Sequence, residues 1–161
     1  MSDNYLRIIP TDPNLIPPEA VADQIVKLLG PAFPEADEVV AESHGHPVFI
    51  DQGANLEAIL CPACGKRLPL QPASEVDAIR DWWYGLTDPL GEGNVVQVQA
   101  TMPCCQAVVP FSELQFDWPA GVASFEITIL NPGVPDPPSA ELKQQVEALL
   151  GGPVKYVWAH Y

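Results

Sequence analysis

Residues 5–30, YLRIIPTDPNLIPPEAVADQIVKLLG, contain a pattern that returns at residues 125–151, FEITILNPGVPDPPSAELKQQVEALLG. Each segment begins with an aromatic residue and a short apolar run, continues through a loop rich in Pro, Asn and Asp, and ends in Leu-Leu-Gly. The double prolines at 17–18 and 137–138 hold the same place in the two segments, 120 residues apart. This recurrence predicts two copies of one strand-and-helix unit.

The segment after each double proline has the apolar spacing of one helical face, i, i+4, i+7 and i+8. The residues with this spacing are Val21, Ile25, Leu28 and Leu29 in the first copy and Leu142, Val146, Leu149 and Leu150 in the second. Gly30 and Gly151 are placed to end the two helices. A further strand candidate follows each helix, at 38–43 and 154–161. Two β-α-β units favour an α+β fold with a ferredoxin-like core, in which both helices cover one face of the sheet.

The length of 161 residues favours a single domain. We expect residues 1–56 to form the first β-α-β half and residues 112–161 to form the second. Residues 57–111 belong to neither copy and are predicted to form an insert between the halves. All four cysteines of the chain lie in this stretch.

The first cysteine pair lies in CPACGK, residues 61–66. A C-x-x-C pair around a tight turn directs both sulfurs to one side, and Gly65 permits the left-handed backbone that such a turn needs. The flanking residues read as two short strands. This hairpin resembles the first knuckle of zinc-ribbon proteins, and the resemblance, which covers only this segment, implies a bound metal rather than a function.

The second cysteine pair lies in TMPCCQ, which repeats the first pattern with altered spacing. When MPCC is aligned with CPAC, Met102 takes the place of Cys61 and Cys105 takes the place of Cys64. Cys104 then falls inside the turn. The segment between the two cysteine pairs is longer than in a compact zinc ribbon. It therefore predicts two hairpins with a helix between them.

Three arrangements of these thiols are open. In the first, Cys61, Cys64, Cys104 and Cys105 bind one structural Zn²⁺, because four thiolates leave no position for water. In the second, only one of the adjacent pair binds, and His44 or His46 completes the site. In the third, the adjacent pair forms a vicinal disulfide, which a reducing compartment disfavours.

The charge of the chain is strongly negative, at −14 from 21 acidic and 7 basic residues. The few basic residues are scattered, which argues against direct nucleic-acid binding because that binding requires phosphate neutralisation. An acidic surface favours a basic protein partner. The first residues lack the pattern of a signal peptide, and no apolar run approaches the roughly 20 residues of a membrane span. We therefore expect a cytoplasmic protein without membrane contact.

The stretch SEVDAIRDWWYGL predicts a helix that begins near Ser74. Trp83 falls on the apolar face of this helix and Trp82 about 100° from it, so two placements of Trp82 are open. Either it is exposed beside Asp81 and Asp88, and the three residues form an interface anchor with a charged rim, or both indoles pack under the insert. The sequence contains no nucleophile elbow, phosphate loop or dinucleotide fingerprint. We therefore expect a non-enzymatic binding protein, of the inhibitor or immunity type, that neutralises a basic protein such as a toxin.

Two alternative functions remain open from the sequence. Glu42, His44 and His46 would share one face of a strand, because side chains alternate with a period of two. This grouping motivates a metalloenzyme that uses His44 and His46. The adjacent thiols of Cys104 and Cys105 motivate a redox or metal sensor that releases zinc on mild oxidation.

Overall fold

The computed structural model describes residues 2–70 and 77–161, and the fold of this part of the chain is mixed α+β, as the sequence predicted. Its strands are β1 (Asn4–Pro10), β2 (Glu38–Ile50), β3 (Ala58–Leu60), β4 (Arg67–Pro69), β5 (Gln99–Thr101), β6 (Val108–Pro110), β7 (Gln115–Phe116), β8 (Gly121–Leu130) and β9 (Val154–His160). Its helices are α1 (Glu19–Leu29), α2 (Asp77–Thr87) and α3 (Ala140–Leu150). The helix start expected at Ser74 lies outside the described residues.

The strands of the described ranges form three antiparallel sheets. The main sheet has the order β2-β8-β1-β9, a second sheet has the order β4-β3-β7, and the third is the hairpin β5-β6. In the main sheet β1 lies between β8 and β9, so that Leu6 is opposite Ile129 on one side and Trp158 on the other. Strands from the two ends of the chain are therefore direct neighbours.

Helices α1 and α3 pack against one apolar face of the main sheet. Ile25 of α1 and Val146 of α3 belong to a single buried cluster with Leu6 of β1 and Ile127 of β8. Each such side chain contributes about 1.5–3 kcal/mol by leaving water. The helical spacing in the sequence identified the side of each helix that packs, because amphipathic periodicity reports this side. Leu149, which the spacing placed on the buried face of α3, is 37 % exposed.

The two main-sheet helices begin and end differently. The hydroxyl of Ser139 accepts a hydrogen bond from the Leu142 N–H at 3.2 Å, which caps α3, and Gly151 ends it in the left-handed region at φ +81°. Helix α1 has no side-chain cap and continues into a 3-10 turn that begins at Gly30. None of the helices in the described ranges is long and apolar enough to cross a membrane.

We call residues 58–116 the hairpin region, because they contain both cysteine hairpins. An aromatic cluster joins this region to the main sheet through Phe49 of β2. The ring centroids of Phe49 and Phe111 lie 5.0 Å apart, and those of Trp83 and Phe116 lie 5.7 Å apart. Edge-to-face contacts of this kind add about 0.5–1.5 kcal/mol to the free energy of burial. The cluster fixes α2 beside the sheet.

Candidate metal centre

The two cysteine hairpins have the same turn geometry. In the first, the Cys61 N–H donates to the Lys66 carbonyl at 3.0 Å, and the Gly65 N–H donates to the Cys61 carbonyl at 2.9 Å. Met102, 41 residues later, makes the same two bonds. Its N–H donates to the Ala107 carbonyl at 2.8 Å, and its carbonyl accepts from the Gln106 N–H at 2.9 Å. The position of Met102 is therefore the one that the alignment with Cys61 predicted.

Each turn contains one residue in the left-handed backbone region. Gly65 has φ +77° in the first turn, and Gln106 has φ +61° in the second. A residue with a Cβ atom costs about 1–2 kcal/mol in this conformation. The second turn keeps the shape of the first despite this cost, which indicates that the shape serves to position its sulfurs.

The sulfur atoms of the two hairpins converge. The Sγ atoms of Cys61 and Cys105 lie 3.8 Å apart, and those of Cys64 and Cys104 lie 3.4 Å apart. All four sulfurs lie within 4.8 Å of one another, and all four thiols are free, so the vicinal disulfide is not formed. The structure thus brings together the four cysteines predicted to share an ion, in a group that could hold a metal.

In this cluster, the ionisation of one thiol disfavours the ionisation of its neighbours. Burial raises the pKa of Cys61, but hydrogen bonds from the backbone of Cys64 and Ala63 outweigh it and lower this pKa to about 7. Burial and the neighbouring thiols of Cys64 and Cys61 raise the pKa of Cys104 to about 12. The Cys61 thiolate therefore makes Cys104 harder to ionise, because like charges repel each other at short range. A bound cation would remove this opposition.

The two histidines considered as ligands lie apart from the cysteines. His44 Nε2 is 2.8 Å from Glu126 Oε2, and His46 Nε2 is 2.9 Å from the backbone carbonyl of Glu92. In the described ranges neither histidine belongs to the cysteine group, so a three-Cys, one-His site is not formed. Glu42, His44 and Glu126 make a second group, with ligand atoms within 4.8 Å of one another.

Glu126 is a buried carboxylate that the sequence interpretation missed, and it is only 5 % exposed. It accepts a hydrogen bond from the Thr128 hydroxyl at 3.0 Å and lies 3.7 Å from Arg7 Nε. The Arg7 guanidinium also lies 5.7 Å from the ring centroids of Tyr5 and Tyr161. Since the guanidinium competes with a metal for this carboxylate, the arrangement is foremost a buried ion-pair network.

The residues predicted to bind a partner lie on α2 and directly after it. Asp81 and Asp88 are exposed, as expected. Of the two placements open for Trp82, the structure favours packing, because Trp82 is half-buried and its indole N–H donates to the Thr101 carbonyl at 2.9 Å. The exposed aromatic of this helix is Tyr84, at 50 % exposure. Trp82 therefore contacts the hairpin region, and Tyr84 faces solvent between the two aspartates.

A cavity of about 920 Å³ opens beside α2. Tyr84 and Asp88 line it from the helix, and Asp51 and Tyr161 line it from the main sheet. The Tyr161 hydroxyl donates to the Asp51 carboxylate. Burial and this hydrogen bond raise the pKa of Tyr161. Arg80 of α2 and His160 line the same opening, so its polar lining includes basic as well as acidic side chains.

No family model, curated protein or solved structure matches the chain. Its function therefore has to be inferred from its own residues and their geometry.

Proposed function

We propose that this protein binds and neutralises a basic protein, as an inhibitor or immunity protein does for a toxin. The exposed face of α2 carries the proposal. Asp77, Asp81, Tyr84 and Asp88 are all exposed and follow the spacing i, i+4, i+7, i+11, which places them within about 60° around the helix axis. The Asp88 N–H donates to the Tyr84 carbonyl at 2.8 Å, which extends the helical turn to the last aspartate.

This face, which we call the acidic α2 face, has the chemistry of an interface with a basic surface. A tyrosine supplies contact area at a low entropic cost, and the surrounding carboxylates provide a charged rim. The net charge of −14 adds long-range attraction, which accelerates association with a positively charged protein. The cavity beside Tyr84 gives a partner side chain a place to enter.

Zinc is the ion that we propose for the cysteine cluster. With Zn–S bonds of about 2.3 Å, the edge of a tetrahedral site is about 3.8 Å long. The sulfur separations of 3.4 and 3.8 Å support this fit. Four thiolates complete the coordination shell, so the ion is structural, and the cytoplasm would keep its ligands reduced.

The proposed zinc and the acidic α2 face are connected through the chain. Cys64 and Cys104 are 40 residues apart and α2 lies between them. An ion that binds these residues in the folded protein favours the folded form of the segment between them, because metal binding is coupled to folding. The zinc would therefore act as a scaffold for the binding face.

We also propose the finer architecture, a ferredoxin-like core with a zinc-ribbon-like insert at residues 57–111. The strand order β2-β8-β1-β9 supports it, because the strands of the two β-α-β units alternate in the sheet. The shared buried cluster of α1 and α3 supports it as well. In the described ranges, the strands β3 to β6 of this insert pair with no strand of the main sheet, and β7, which follows the insert, pairs with β3.

A pull-down from lysate with matched charge variants tests the function. We expect the wild type to recover a basic protein in stoichiometric amount, and the variant Asp81→Lys with Asp88→Lys to lose it. The variant Glu19→Lys with Asp23→Lys is the control, because it makes the same change of charge at exposed positions of α1. Recovery by the control alone supports the proposal. Equal recovery by both variants, or no stoichiometric partner for the wild type, contradicts it.

One observation favours a second candidate function, a metalloenzyme. Glu42, His44 and Glu126 place three ligand atoms within 4.8 Å. Metal analysis separates the two candidates. One zinc per chain that remains in His44→Ala supports the binding protein, whereas a second, exchangeable metal that this variant loses supports the enzyme.

A further inference from the structure

A second cavity, of about 450 Å³, lies between the main sheet and the hairpin region. Phe49, Phe111 and Phe116 line it, so much of its wall is aromatic. Among the described residues that line it, Lys155 of β9 is the one with an ionisable side chain. The volume of this cavity falls in the range of about 300–1,000 Å³ that is typical of small-molecule sites.

The ammonium group of Lys155 has no acidic partner in the described part of the chain. No carboxylate oxygen of the described residues lies within 4.0 Å of it. It donates one hydrogen bond, to the Ala120 carbonyl at 2.5 Å, and an ammonium has three donors. Burial lowers the pKa of Lys155, and no nearby negative charge offsets this effect. A half-buried cation of this kind is stabilised by an anion that approaches it.

Gly121 of β8 provides the space in which the lysine lies. A Cβ atom at this position would come within 2.6 Å of Lys155 Cε and 2.9 Å of its Nζ. It would also come within 2.6 Å of Ile9 Cδ1. The lysine therefore crosses the sheet surface directly over a residue without a side chain. Lys155, one of seven Lys and Arg residues in the chain, therefore lies among mostly apolar residues.

We propose that this cavity binds a small organic acid, with its carboxylate on Lys155 Nζ and an aromatic body against Phe49, Phe111 and Phe116. A charge-assisted hydrogen bond from an ammonium to a carboxylate is about twice as strong as a neutral one. Ring-to-ring contacts with the three phenylalanines favour an aromatic ligand over an aliphatic one. Ser112 also lines the cavity and adds a polar side chain to its wall. This site is separate from the acidic α2 face and does not depend on its role.

Two probes of equal shape test the proposal on the unmodified protein. Phenylacetate carries the carboxylate, and phenylacetamide replaces it with an uncharged group of nearly the same size. By isothermal titration calorimetry, we expect phenylacetate to bind at least about tenfold more tightly than the amide. Equal affinities, or no binding of phenylacetate at about 10 mM, would overturn the proposal.

A pair of lysine variants locates the site. Lys155→Met keeps the length of the side chain and removes its charge, whereas Lys27→Met makes the same change at an exposed position of α1. We expect the first to weaken phenylacetate binding by about tenfold or more and the second to leave it unchanged. Affinity for the amide should be the same in all three proteins. Retention of phenylacetate affinity by Lys155→Met would overturn the assignment, and the comparison of probes on the wild type stands even if a variant fails to fold.

Discussion

Met102 lies in the second hairpin where Cys61 lies in the first, and both side chains are buried in the same apolar cluster. The second turn therefore has no thiol at the first position of the knuckle. Cys104, inside the turn, supplies the missing sulfur and approaches Cys64, while Cys105 approaches Cys61. The two hairpins thus share one backbone shape but present their sulfurs from different positions.

This convergence predicts that every sulfur is needed for metal binding. We expect Cys64→Ser and Cys104→Ser each to lower the metal content well below one ion per chain. Because loss of a structural ion removes several kcal/mol, the melting temperature should fall by about 10 °C or more. Mass spectrometry of the metal and thermal melting measure both effects. Ala63→Ser, an exposed change in the same turn, is the control and should retain the metal.

The lowered pKa of Cys61 predicts a pH dependence for the metal-free protein. Its pKa falls from 9.0 to about 7 on folding, so this thiolate stabilises the folded state fully above pH 9, and the contribution is lost as the pH falls through 7. With the metal removed by a chelator, the difference in the free energy of unfolding between wild type and Cys61→Ser should therefore grow as the pH rises from about 6 to about 9. Urea titrations measure it. A difference that stays constant over this range would contradict the prediction.

Two glycines with similar backbone angles should respond differently to alanine. Gly53 has φ +58°, and a Cβ atom there would come within 2.2 Å of the His160 carbonyl oxygen. Gly91 has φ +49° and nothing within 4 Å of such an atom. We expect Gly53→Ala to lower the free energy of unfolding by more than about 2 kcal/mol and Gly91→Ala by about 1 kcal/mol. Equal losses would show that the close approach of Gly53 to the His160 carbonyl adds no cost to the substitution.

The buried carboxylate of Glu126 should contribute more to stability than its neighbour in the same group. Glu126→Gln removes the more buried of the two carboxylates beside Arg7 and leaves Asp51, at 4.0 Å, as its charged partner, at an expected cost of about 2–4 kcal/mol in the free energy of unfolding. Glu42 is 62 % exposed, so Glu42→Gln should cost less than about 0.5 kcal/mol. Denaturant titrations measure both. Comparable losses in the two variants would contradict the ion-pair interpretation.

The sequence predicted the features that depend on local periodicity. Ile25 and Val146 were assigned to buried helix faces because a spacing near 3.6 reports packing on one side. Glu126 could not be found in this way, because its partner His44 is 82 residues away and only the pairing of β2 with β8 brings them together. The helical spacing left the exposure of Trp82 open, because it describes one helix alone. In the structure, the Trp82 indole N–H donates a hydrogen bond to the carbonyl of Thr101 on β5, a contact that the spacing within one helix cannot predict.

The equivalence of Met102 and Cys61 predicts that the ligand can be moved. In Met102→Cys with Cys104→Ala, the new thiol should lie in the second turn where the Cys61 thiol lies in the first, which restores the C-x-x-C spacing with Cys105. We expect this double variant to bind one metal ion per chain, whereas Cys104→Ala alone loses it. Its stability should still fall by about 1–3 kcal/mol, because the buried methionine side chain is replaced by a smaller one.

Metal content and thermal melting, measured together, separate the two effects of this double variant. The single variant Met102→Cys, which keeps Cys104, is the control, since it carries the same loss of buried volume with all four original thiols in place. If the double variant binds no more metal than Cys104→Ala, the two turns differ in where they direct the first side chain. The shared hydrogen bonds of the hairpins would then fix the backbone alone, and Cys104 would be a ligand that no other position in the turn can replace.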